Sequence, residues 1–92
     1  MSSARIGYYD QASLKYEFHD LKKPMEILSL VGNISIRNKK PFIHAHIILG
    51  DENGAALGGH LTEGATVFAC EFVIQELISS EPLLRQFDEE TG

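Results

Sequence analysis

The chain has 92 residues, with eight Lys or Arg against thirteen Asp or Glu and a net charge of −5. This is the size of one small domain, which buries only about 60–65% of the surface it exposes when unfolded and so has a thin stability margin. The acidic balance is poorly suited to nonspecific nucleic-acid binding, which relies on basic groups that displace phosphate counterions.

Cys70 is the single cysteine, so no disulfide forms within the chain, and a lone thiol fits a reducing, cytoplasmic setting. No run of 18 apolar residues and no apolar N-terminal stretch marks a membrane span or signal peptide.

In chain order, "ARIGYY" reads as a strand and "DQAS" as a turn. In "LKYEFHD", Leu14, Tyr16 and Phe18 alternate with Lys15, Glu17 and His19, the period-two pattern of a half-buried strand. "KKP" breaks it. "MEILSLVGNISIR" reads as a long strand bent at Gly32, since glycine inside a strand marks a bulge or a close backbone approach. "NKKP" is a turn, because Pro41 lacks a donor for a central ladder.

"FIHAHIILG" and "AALGGHL" flank "DENG", a hairpin signal. "ATVFACEFVIQELI" reads as a further strand from its aromatic and β-branched content, with Phe68, Cys70, Phe72 and Ile74 on one face and Cys70 as a buried thiol. The polar tail over 79–92 reads as frayed. With no repeat or linker, residues 1–92 form a single domain of five or six strands without an amphipathic helix. Such a sheet leaves a face that another piece of protein, or identical subunits, must cover.

Three of the four histidines, His44, His46 and His60, fall within seventeen residues. On a strand, i and i+2 share a face, so His44 and His46 point the same way. His60 joins them only if the turn has the right length. A two-residue Asn53-Gly54 loop sets His60 opposite Ile47, on the wrong face. A three-residue Glu52-Asn53-Gly54 loop sets it opposite His46, and this is a favoured hairpin class with glycine in the left-handed region. A bulge at Gly58-Gly59 would shift the register again.

Three imidazoles on one ion leave an open position, as in catalytic zinc sites. Catalysis would also need a nearby acid or base. Glu63, Glu26 and Glu71 form no recognisable motif with the histidines and read as surface carboxylates. His19, beside Asp20, reads as a surface residue. The basic groups Lys22, Lys23, Arg37, Lys39 and Lys40 read as solvated loop charges.

The segments "EILSL-x-GNIS", "PF-x-H-x-H" and "GGHL-x-EG" together resemble the "plants and prokaryotes conserved" (PPC) domain, over about Ala4 to Gly92. The resemblance implies an α+β fold, a mainly antiparallel (mixed) sheet covered by a helix, and a homotrimer. It also implies a divalent metal, usually zinc, on His44, His46 and His60. Imidazole itself suits zinc, copper, iron and nickel alike. Plant relatives pair the domain with AT-hooks, whose Arg-Gly-Arg-Pro core this chain lacks. Prokaryotic relatives are described as DNA-binding by prediction.

Against the family pattern, the opening strand-helix-strand is missing and the chain stops at "TG", so a truncated, mostly β domain is expected. The function implied is that of a metal-binding, homotrimer-forming module with a regulatory or DNA-associated role and no defined catalysis. A direct DNA-binding regulator contacting DNA through Arg37, Lys39 and Lys40 is the alternative. A metal-dependent hydrolase or lyase is the third reading.

Overall fold

In a computed structural model, residues 1–78, 80, 84, 85 and 88 are described. The alternating apolar runs become five strands: β1 (Ala4–Asp10), β2 (Lys15–Leu21), β3 (Glu26–Arg37), β4 (Lys40–Gly50) and β5 (Ala56–Leu61). They form one sheet in the order β2-β1-β5-β4-β3, antiparallel throughout. The described residues contain no helix, so the helix of the expected α+β fold is not among them.

Turn chemistry sets the hairpins. The Asp10 carboxylate accepts from the backbone N–H groups of Ala12 (2.9 Å) and Ser13 (3.4 Å), closing the β1–β2 turn. At the β3–β4 turn, Asn38 and Lys39 both have positive φ (52° and 63°) while Arg37 pairs with Lys40. That is the two-residue turn whose twist matches antiparallel strands. Pro41 is therefore inside β4, contrary to the expected turn. It lies opposite Ile36, in the part of β4 that has no β5 neighbour, so its missing donor interrupts no central ladder.

Gly32 marks a close approach. A Cβ there would lie 2.2 Å from the His44 carbonyl oxygen and 2.6 Å from the Ala45 Cα. Only glycine lets β3 cross β4 this tightly. The register shift in β3 is separate, between Ile27 and Ser29.

One face carries the core. Ala45, Ile47 and Leu49 of β4 and Ala4 and Ile6 of β1 are buried with Met1 and Met25, and Leu21, Ile27, Leu61 and Ala65 pack against them. This core covers only part of the face. Toward the β3–β4 turn the same face exposes Ile34 (54%) and Ile43 (65%), which pair directly, flanked by Leu30 and Ile36. The molecule measures 46 × 35 × 18 Å, the thickness of a single sheet with its side chains.

Three expectations are corrected. Strand β2 is not half-buried by its apolar face: Tyr16 and Phe18 are exposed, at 40% and 45%. Ile6 lies opposite His19 and Gly7 opposite Phe18, so the aromatic side of β2 faces away from the core.

Residues 65–78 form no strand. Only Thr66 bridges, to Ser3. Strand β1 is flanked by β2 on one side and by β5 with its extension to Thr66 on the other, so the residues that follow cannot pair with it. Cys70 is exposed rather than buried, because its strand does not form. The frayed tail over 79–92 lies largely outside the described residues. Within it, Leu84 bridges Ile36 and the Arg85 N–H donates to the Ile36 carbonyl at 2.8 Å.

Candidate metal centre

His44 and His46 stand on the face of β4 opposite the buried Ala45 and Ile47. The loop decides whether His60 meets them. The Asp51 N–H donates to the Ala55 carbonyl (3.0 Å) and the Gly54 N–H to the Asp51 carbonyl (3.1 Å), and Gly54 has φ +80°. The loop is therefore the three-residue Glu52–Gly54 form, and His46 lies opposite His60 with no shift at Gly58 or Gly59.

Asp51 holds this loop. Its Oδ1 accepts from the N–H groups of Asn53 and Ala55, both at 2.9 Å, and Lys23 pairs with Oδ2 at 3.3 Å. The Ala55 hydrogen bond, more than any other contact, holds the Asp51 carboxyl below its ordinary value.

The three rings converge, with centroids 5.2 Å (His44–His46), 5.3 Å (His44–His60) and 4.4 Å (His46–His60) apart. One nitrogen of each lies within 4.8 Å of the others. A tetrahedral ion with Zn–N bonds of about 2.0–2.1 Å needs nitrogens roughly 3.4 Å apart, which is inside the 4.8 Å limit within which these three lie. The donor set fits a divalent metal.

His44 and His60 are half-buried and His46 is exposed. Burial lowers the His44 pKa, assisted by the positive Arg85 and then by His46. Burial also lowers that of His60, assisted by His46 and His44. Both shifts favour the neutral imidazole, the form that binds a metal.

Neighbours on the same face complete the setting. The Tyr16 ring meets His60 edge-on at 5.5 Å and stacks with Phe18 at 6.1 Å. An open concavity is lined by Gly7, Tyr9, His46, Gly58, Gly59 and His60. Arg85 approaches from the other side, with Nη2 3.2 Å from His44 Nδ1 and its guanidinium 5.6 Å from the centre of the Phe42 ring. Arg37 lies over the same ring at 5.3 Å.

Sequence reasoning missed Arg85. It is 41 residues from His44, in a segment read as a frayed tail, and no spacing rule links the two. The aromatic flank has a signal, the Tyr16–Phe18 alternation, which shows a two-sided strand and not that its aromatic side meets His60.

The remaining candidates do not join the cluster. Glu26, Glu63 and Glu71 are exposed, and the charged groups acting on His44 and His60 are Arg85 and the other imidazoles. His19 is exposed on the opposite face. Lys39 and Lys40 are exposed at the β3–β4 turn, Lys22 is exposed, and Lys23 is taken by Asp51.

A small antiparallel sheet that gathers three histidines on one face defines a domain with a candidate metal site. The chain belongs to the Plants and Prokaryotes Conserved (PCC, or PPC) domain family, whose model matches residues 1–78. No curated protein matches it significantly.

Among solved structures, a metal-containing protein from Archaeoglobus fulgidus is 51% identical, with a TM-score of 0.63, over 66% of this chain and 43% of its own. A plant- and prokaryote-conserved (PPC) protein from Pyrococcus horikoshii is 43% identical, with a TM-score of 0.60, over 63% and 41% respectively. A candidate DNA-binding protein from Bacteroides thetaiotaomicron is 31% identical, with a TM-score of 0.63, over 67% and 43%. The chain thus spans less than half the length of these proteins. No helix among the described residues is long and apolar enough to cross a membrane.

Proposed function

We propose that the chain is a metal-binding module in which His44, His46 and His60 hold one divalent ion, zinc, and which works as a homotrimer in a regulatory or DNA-associated role in the cytoplasm. The observation that carries the metal reading is the convergence of three imidazole nitrogens within 4.8 Å of one another. The relative from Archaeoglobus fulgidus, named as metal-containing, supports it. Zinc suits three imidazoles with a position left open.

The homotrimer draws support from the exposed Ile34–Ile43 strip, which a single-layer sheet leaves without a cover. No defined catalysis is proposed, since Glu26, Glu63 and Glu71 form no recognisable motif with the histidines.

Metal content of the purified protein tests the reading. About one ion per chain is expected, falling to near none in His44→Ala and His46→Ala. Unchanged content in both variants would end it.

A second reading, direct DNA binding, has support in the Bacteroides relative and in Arg37, Lys39 and Lys40 at one end of the sheet. The net charge of −5 opposes it. Titration against duplex DNA at two salt concentrations decides, because phosphate contacts make affinity fall steeply with salt.

A further inference from the structure

Arg85 has only hydrogen-bond donors. Its Nη2 contact with His44 Nδ1 therefore makes Nδ1 the acceptor and places the proton of the neutral ring on Nε2. A ring in that state has no lone pair left for a metal. Loading His44 breaks the contact whichever nitrogen ligates. If Nδ1 ligates, its lone pair is used. If Nε2 ligates, the proton sits on Nδ1 and faces the guanidinium donor to donor. Either way Nη2 loses its acceptor.

The second donor on that edge is already without one. Arg85 Nε is buried and makes no hydrogen bond. Nε and Nη2 form one edge of the planar guanidinium, spaced to take both oxygens of a carboxylate. Ser35 Oγ is also buried and unbonded. Ser35 lies opposite Phe42, whose ring the Arg85 guanidinium covers. Two donor atoms without acceptors, Arg85 Nε and Ser35 Oγ, thus belong to residues that adjoin Phe42, two residues along β4 from His44.

Charge points the same way. A loaded centre would combine a divalent cation with Arg85. Arg85 Nη2 lies 3.2 Å from His44 Nδ1, so the two positive charges would be close neighbours. Like charges in a partly buried site call for a counter-anion, and three imidazole ligands leave a coordination position open to one.

We infer that Arg85, with Ser35 beside it, forms a carboxylate-binding subsite of the metal centre, so that a small carboxylate is shared between the ion and the guanidinium. This rests on the metal reading of His44, His46 and His60.

Cobalt(II), whose visible bands report its ligands, separates the two claims. The full chain is loaded with cobalt, and the bands are followed while sodium acetate is added. Wild type should respond at acetate concentrations about tenfold lower than Arg85→Ala, the effect of losing a charge-assisted pair. Arg85→Lys, which keeps the charge and lacks the two-donor edge, should fall between them.

Equal midpoints in all three proteins, or bands that ignore acetate, would overturn the subsite and leave the metal site standing. Absence of the bands in wild type would overturn the metal reading and the subsite with it.

Discussion

His44 and His60 hold their protons weakly because their rings are partly withdrawn from water and crowded by other nitrogens, with Arg85 adding its charge at His44. The folded chain favours the neutral rings. As the pH falls below 6.5, the unfolded chain takes up protons first, so stability is full above that value and declines below it.

Imidazole proton shifts followed by NMR in the metal-free protein should give midpoints below 6.5 for both residues. Arg85→Ala should raise the His44 midpoint and leave that of His60 in place. A His44 midpoint at or above 6.5 in wild type would contradict the crowding described here. Protons and metal compete for the same lone pairs, so metal release should also set in on the acid side of neutrality.

At the scale of the element, two glycines shape the strands and the turn that carry the histidines. Gly32 lets β3 pass against the His44–Ala45 backbone. In Gly32→Ala the methyl meets backbone atoms that cannot yield, so the strands must part beside His44. A loss of about 3 kcal/mol in stability is expected, read by chemical denaturation, together with reduced metal content.

Gly54 has open space around it and a positive φ of 80°. Gly54→Ala therefore strains only the backbone and should cost about 1 kcal/mol, with metal content retained. If the two variants behaved alike, the distinction between steric closeness and backbone conformation would fail. Asp51 belongs to the same hairpin. Its lowered pKa means that its contribution is present above the ordinary value of 3.8 and is lost as the pH falls below that.

At the scale of the whole molecule, the sheet is one layer thick and its apolar face is only partly filled. Ile34 and Ile43 lie side by side in the unfilled part. Ile43→Glu places a charge on that strip. If the strip is the contact between subunits, burying the charge there is costly, and light scattering should report a smaller species than wild type. A variant that keeps the wild-type mass would place the contact elsewhere, and a wild type that is itself monomeric would remove the homotrimer.

Five strands were legible in the sequence because alternation and turn residues act locally: Asp10 and the Glu52–Gly54 loop are read within a few positions of themselves. The histidine site was legible as a condition. Strand parity tied His60 to His46 through the length of one turn, and the favoured turn chemistry is the one that forms.

Tertiary structure alone decided that the aromatic side of β2 lies on the histidine face, because amphipathic alternation shows that a strand has two sides and not which side meets the core. It also decided that residues 65–78 form no strand, since apolar content does not by itself supply a pairing partner. Tertiary structure brought Arg85 to His44 as well. That contact spans 41 residues, and neither periodicity nor turn chemistry operates over such a distance.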